Sequence, residues 1–136
     1  MYLLDTNVIS ELRKPQADAN VVSWAKGVIA PRLYISAITL KELETGVLRM
    51  ERRDPAQGKL LRSWLTRHVI PAFEARILPV DAAVALRCAS LHVPDQANES
   101  DALIAATALV HGLTVVTRNV GDFRSSGVAL INPWEQ

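Results

Sequence analysis

The chain has 136 residues, within the roughly 100 to 200 of one ordinary domain, so a catalytic domain plus a separate cofactor module does not fit. Hydrophobic residues make up 49% and charged residues 21%, near globular averages, which excludes a disordered, collagen-like or supercharged chain. The net charge is +1, and uncharged stretches such as Ala102 to Val110 fall far short of the roughly 20 apolar residues of a membrane span.

The opening Met1-Tyr2-Leu3-Leu4 reads as a short strand, and Thr6-Asn7 leads into Val8 to Leu12, which has helical spacing stopped at Lys14-Pro15. Asp5, inside the first apolar run, argues against a secretory leader, so a cytoplasmic protein is expected. A second helix is predicted between Asp18 and Ala30, a second strand over Leu33 to Ser36, and a long helix from Ala37 to about Arg53 in which Gly46 is a poor helix former. Asp54-Pro55 opens a further helix with Leu60, Leu61, Trp64 and Leu65 as its apolar stripe, expected to end before Pro71. Ile77 to Val80 is a strand whose Pro79 demands a sheet edge or a strand end, and Asp81 caps a helix from Ala82 to about His92. After a polar loop, Ser100-Asp101 precedes a small-residue helix over Ala102 to Val110, which stops at His111-Gly112. Thr114 to Thr117 is the most strand-like segment, and Val128 to Ile131 is the last strand.

Strands alternating with helices predict an α/β domain spanning 1–136, three layers deep, with a mainly parallel central sheet flanked by helices. In such folds ligands gather at the carboxyl ends of the strands. Four acids stand near those ends in the sequence: Asp5 after the first strand, Glu42 one and a half turns into the helix after the second, Asp101 at a helix start, and Asp122 after the Thr114 strand. Crowded carboxylates repel unless cations sit among them, and an all-oxygen set suits a hard ion such as Mg²⁺ or Mn²⁺ over Zn²⁺. Setting the four aside leaves 15 basic and 10 acidic side chains, an excess a polyanion can use. The competing reading is structural: Asp5 and Asp101 as helix caps, Asp122 as a turn residue beside Gly121, and Glu42 in a capping box with Thr39.

Four stretches tip the balance. Leu3 to Leu12 (LLDTNVISEL) closely resembles the opening motif of PIN-domain ribonucleases, in particular the VapC toxins of toxin-antitoxin pairs. Ser36 to Gly46 (SAITLKELETG) is similar to that family's second motif, Asp101 to Ala108 (DALIAATA) to the third, and Val116 to Phe123 (VTRNVGDF) to the fourth. The resemblance implies a PIN-like fold and a metal-dependent endoribonuclease with Asp5, Glu42, Asp101 and Asp122 as metal-binding and catalytic acids. It also implies Thr117 as a support of the metal site, with Thr6 and Asn7 behind the ligands. Members of the family may carry an aspartate where this chain has Asn119, so Asn119 is at most a neutral ligand and Asp122 the better fourth acid. The resemblance further implies single-stranded or looped RNA as substrate, 5′-phosphate products, a VapB-like antitoxin as partner and a homodimer.

The cations Lys41, Arg49, Arg52, Arg53, Lys59, Arg62 and Arg67 gather in two consecutive helices and offer a track for an RNA backbone, or a solvated face partnered by Glu44, Glu51 and Asp54. The apolar stripe beside them reads as core, or as a partner surface on a helical arm. Cys88 reads as a small core residue, and His68, His92 and His111 lack metal-ligand spacing. Two other functions fit parts of the pattern. A Mg²⁺-binding phosphate-transfer domain would also put an aspartate after the first strand, but the receiver type wants neighbouring acids before that strand's end and the phosphatase type a second aspartate two residues later, where this chain has Asn7. A non-catalytic binding module would use the acids only as caps and would not respond to divalent metal.

Overall fold

In the computed structural model, which describes residues 1–136, five short strands form one sheet in the order β3-β2-β1-β4-β5. The strands are β1 (Tyr2–Leu4), β2 (Leu33–Ser36), β3 (Ile77–Leu78), β4 (Thr114–Val116) and β5 (Leu130–Ile131), and every pairing is parallel. Tyr2 is level with Leu33 on one side and with Thr114 on the other. The helices are α1 (Thr6–Arg13), α2 (Ala19–Lys26), α3 (Ala37–Arg53), α4 (Pro55–Trp64), α5 (Ile70–Ala72), α6 (Ala82–Leu91) and α7 (Glu99–His111).

Strand alternation splits the core in two. Leu4, Ile35 and Val116 pack with Val8, Val21, Leu43 and Val47 of the first three helices. Leu3 and Val115 point the other way, onto Ile104, Ala105 and Ala108 of α7. Both faces of the sheet are therefore covered, as parallel pairing requires. The alanines of α7 are buried and let the helix approach the strands closely. β3 stops at Leu78, before Pro79, and lies at the sheet edge, where the missing N–H leaves no ladder bond unmade.

Several boundaries differ from expectation. The fourth helix does not end before Pro71. A wide turn over Leu65–Val69, in which the Ile70 N–H reaches back to the Leu65 carbonyl, carries the chain into α5 with Pro71 inside it. Widening relieves the clash between a proline ring and the carbonyl four residues earlier. α7 starts three residues before Ala102, because Asn98 takes the cap and accepts from the Asp101 N–H at 3.1 Å. The last strand is only Leu130–Ile131.

α3 and α4 form a hairpin joined at Asp54, whose carboxylate accepts from the Gln57 N–H. A Cβ at Gly58 would stand 2.4 Å from the Glu51 Cα, so only glycine lets the two helices meet there. Arg62 makes a two-pronged bond to Glu44 at 2.6 and 2.7 Å and reaches Glu51 at 3.3 Å. Arg62 thereby leaves the set of cations free for an RNA backbone, whereas Lys41, Arg49, Arg52 and Arg53 remain exposed. In the apolar stripe Leu65 is buried and Trp64 half-buried, but Leu60 is 60% exposed and is not core. No helix is long and apolar enough to cross a membrane.

Candidate active site

The chain runs outward from β1 to β2 and β3 on one side, then returns to place β4 on the other side of β1. That reversal opens a crevice at the carboxyl ends of β1 and β4, where open parallel sheets bind ligands. Asp5 leaves the end of β1 and Thr117 the end of β4, and both are buried. The Thr117 hydroxyl donates to the Asp5 Oδ2 at 2.8 Å, while the Asp5 Oδ1 accepts from the Thr6 N–H at 2.8 Å and caps α1. Capping thus uses one carboxylate oxygen, and Thr117 holds the other. The Asn7 amide donates to Asp5 Oδ2 at 3.4 Å and to Thr117 Oγ1 at 3.3 Å, and its carbonyl accepts from the Arg118 N–H. Position 7 is therefore a neutral brace across the two strand ends, where a phosphatase would need an acid.

Glu42 reaches the same rim from α3. Ser36 caps that helix by accepting from the Ile38 N–H, so Thr39 and Glu42 form no capping box. Glu42 instead accepts from the Thr6 hydroxyl at 2.8 Å, and the buried Thr39 lies 3.3 Å from that hydroxyl. Asp101 is likewise relieved of capping duty by Asn98, and its side chain is free to face the rim. Asp122 closes a short turn over Val120–Asp122. Asn119 enters the network through its backbone, whose N–H donates to Thr117 Oγ1 at 3.0 Å.

The crowding is felt at Asp5 and Asp101. Burial pushes the Asp5 carboxyl above its usual value against the hydrogen bonds from Thr117 and Thr6, and the charges of Glu42 and Asp122 push the same way. Asp101 is pushed up to about 6 by partial burial and by the charges of Asp5, Asp122 and Glu42. No lysine or arginine offsets this crowding. An all-oxygen set with a deficit of positive charge fits a hard divalent cation. Glu11, in the same stretch as Asp5, takes no part. It is buried but turned to the α1–α2 loop, where the Asp18 N–H and Lys14 bond it and hold its carboxyl below the usual range.

One cluster escaped the reading of the sequence. Cys88 Sγ, His92 Nε2 and a Glu99 oxygen lie within 4.8 Å of one another, a tighter trio than any among the rim acids. Its hydrogen bonds nevertheless make it a brace. The Ala97 N–H donates to His92 Nδ1 at 3.0 Å, which puts the ring proton on Nε2, 3.0 Å from Glu99. With the proton there, Nε2 has no lone pair for a metal or for the thiol, and burial pushes the Cys88 thiol up. The spacing of four residues on one helix was the available signal.

Fold and site together define an open parallel α/β domain with a polyacidic crevice at its switch point. Residues 2–125 match the PIN domain family, and the chain belongs to it. It is 41% identical to Toxin FitB of Neisseria gonorrhoeae, covering 98% of this chain and 99% of that protein. It is 38% identical to the VapC ribonuclease Y4jK of Sinorhizobium fredii, covering 99% of each. The crystal structure of FitAcB from Neisseria gonorrhoeae superposes with a TM-score of 0.93 at 40% identity over the whole of both chains.

Proposed function

We propose that this protein is a single-domain, metal-dependent endoribonuclease and the toxin of a toxin-antitoxin pair, using Mg²⁺ or Mn²⁺. The observation that carries the reading is the meeting of Asp5, Glu42, Asp101 and Asp122 at one strand-end crevice with no protein cation among them. Relatives named as a toxin and as a VapC ribonuclease, matched along nearly their whole length, support it. RNA is then the substrate, a cognate antitoxin the partner, a second copy the dimer mate and the cytoplasm the setting.

These carboxylates would hold a divalent ion, which would supply an activated water and neutralise charge building on the phosphate. Asp5 is the fixed ligand: Thr117 and Asn7 hold one oxygen and the Thr6 N–H the other, so its rotamer is set before any ion arrives. Thr6 aims Glu42 through its hydroxyl. Asp101 and Asp122 accept no hydrogen bond from the protein and are the ligands free to adjust as substrate enters. Asn119 serves through its backbone, steadying Thr117. The exposed Lys41, Arg49, Arg52 and Arg53 contribute a positive surface for the RNA.

The test is to incubate the full chain, freed of co-purifying protein, with a structured RNA pool in Mg²⁺, Mn²⁺ or EDTA beside Asp5→Asn, and to map the new ends. Cleavage leaving 5′-phosphates, lost in EDTA and in the variant, is expected. Absence of cleavage in both ions, with no shift of melting temperature by either, would overturn the reading in favour of structural acids.

A further inference from the structure

A groove of about 230 Å³ opens from the acidic rim between α1, α3 and α4. Thr6 and Glu42 stand at its mouth, Arg13, Lys14 and Trp64 line it further along, and Gly46 forms part of its α3 wall. Gly46 is the anomaly. A Cβ there would meet nothing within 4 Å and its backbone is ordinary helix, so neither packing nor conformation requires glycine. Glycine in a helix interior costs stability against almost any other residue, and what its missing side chain preserves is the open groove.

The lining has the chemistry of a single-stranded nucleic acid. The Arg13 guanidinium lies 5.7 Å from the centre of the half-buried Trp64 ring and bonds no carboxylate, which leaves its donors free for a phosphate. A guanidinium seated over an aromatic ring is held in place with its N–H donors pointing outward, which suits neutralising the phosphate of a nucleic-acid backbone. The volume lies below the roughly 300 to 1,000 Å³ of a pocket for a compact small molecule, and the groove is open at the rim. It suits one unit of a chain that continues past the site.

We infer that this groove is a subsite for the nucleotide next beyond the two joined by the cleaved bond in single-stranded RNA, with Arg13, seated over Trp64, on its phosphate and Gly46 as the residue that keeps the subsite open. The inference rests on the ribonuclease reading and deepens it. It predicts that RNA with flanking nucleotides is cut better than a dinucleotide holding only the scissile bond, and that groove variants erase that advantage.

The experiment compares kcat/KM for an unstructured 12-nucleotide RNA and for its central dinucleotide, in Mn²⁺, with the full chain and with Gly46→Leu and Arg13→Gln. The ratio of the two values should fall about tenfold in Gly46→Leu and about threefold in Arg13→Gln, through KM more than kcat. The salt dependence of KM should flatten in Arg13→Gln. Gly46→Leu should melt no lower than the parent, since leucine is the better helix former, so a lost ratio cannot be blamed on misfolding. If the parent cuts RNA and both variants keep its ratio, the subsite is refuted and the nuclease reading stands. If the variants keep the ratio but lose co-purification with the antitoxin, the groove belongs to the partner protein and the inference again fails. If the parent cuts neither substrate, both fall together.

Discussion

Two clusters of charge in this molecule use the same residue types to opposite ends. In the α3–α4 hairpin, Glu44 and Glu51 converge on Arg62, whose bond to Glu44 holds that carboxyl below its usual range while the guanidinium is held more firmly protonated. At the strand ends, Asp5, Glu42, Asp101 and Asp122 converge on nothing, and Asp5 and Asp101 are pushed up. The hairpin is complete in itself; the crevice becomes electrostatically complete only when a cation joins it. Such unpaired pKa perturbation separates a candidate site from a structural ion pair more sharply than the number of acids does.

The strongest way to break the contrast is at Asp5. Asp5→Asn should cut RNA cleavage by at least about 100-fold, since it removes a preorganised charge from the reacting centre. Its melting temperature in EDTA should not fall, because burial disfavours the charge that is removed, and the rise produced by Mn²⁺ should shrink. A variant that melts well below the parent in EDTA and keeps its metal response would mark Asp5 as a cap alone. Thr117→Val tests the layer behind: losing the hydroxyl that fixes Asp5 should weaken metal affinity or activity by about 10- to 100-fold, read as a shifted metal titration.

In the hairpin the largest effect is steric. Gly58→Ala places a methyl 2.4 Å from the Glu51 Cα and 2.7 Å from its nitrogen, both backbone atoms that cannot turn aside. A loss of about 1–3 kcal/mol in denaturant unfolding is expected, whereas alanine would stabilise an ordinary helix position. An unchanged midpoint would mean the helices part easily.

These contrasts were unevenly legible in the sequence. The strand over Leu33 to Ser36 and the long helix after it stood out because apolar alternation and helical spacing are local. Asp5, Asp101 and Asp122 could be placed on one rim, because a parallel sheet puts every strand end on the same side, and Glu42 within reach of it. What Asp101 does as a cap was harder to read. Asn98, Ser100 and Asp101 are all credible caps within four residues, and only the folded chain shows that Asn98 takes the position and frees the aspartate. Glu44 and Glu51 could be named as partners for the cations of these helices, but that Arg62 takes both was not legible, because they lie 18 and 11 residues away on another helix, beyond any periodicity rule. The turn that carries a helix through Pro71 depends on packing of Leu65 and Val69, which no propensity encodes.

pH should move the two clusters in opposite directions. The Asp101 carboxyl, at about 6 against an ordinary 3.8, binds its proton more tightly in the folded chain, so the metal-free protein should lose stability as pH rises through the window from about 4 to about 6 and then level off. Glu44 is held low, so its contribution is present above its ordinary 4.5 and is lost as pH falls below it. Metal binding needs the rim acids deprotonated, so the Mn²⁺ concentration for half-maximal cleavage should climb as pH drops below about 6. A half-saturating concentration that stays flat from pH 8 to 5 would detach Asp101 from the metal.

The smallest effect expected is that of Arg62→Met, and it isolates the hairpin from the crevice. The substitution keeps apolar length along the helix while removing the guanidinium that joins Glu44 and Glu51. All three side chains are about a third or more exposed, so water recovers most of what the pair loses. The change in unfolding free energy should therefore be small at pH 7 and shrink further in high salt. It should vanish in acid, where Glu44 is protonated in parent and variant alike. Cleavage of RNA should be unaffected, since Arg62 touches no rim residue. A parallel fall in cleavage and stability would show instead that the hairpin's rigidity sets the position of Glu42, joining the two clusters through α3.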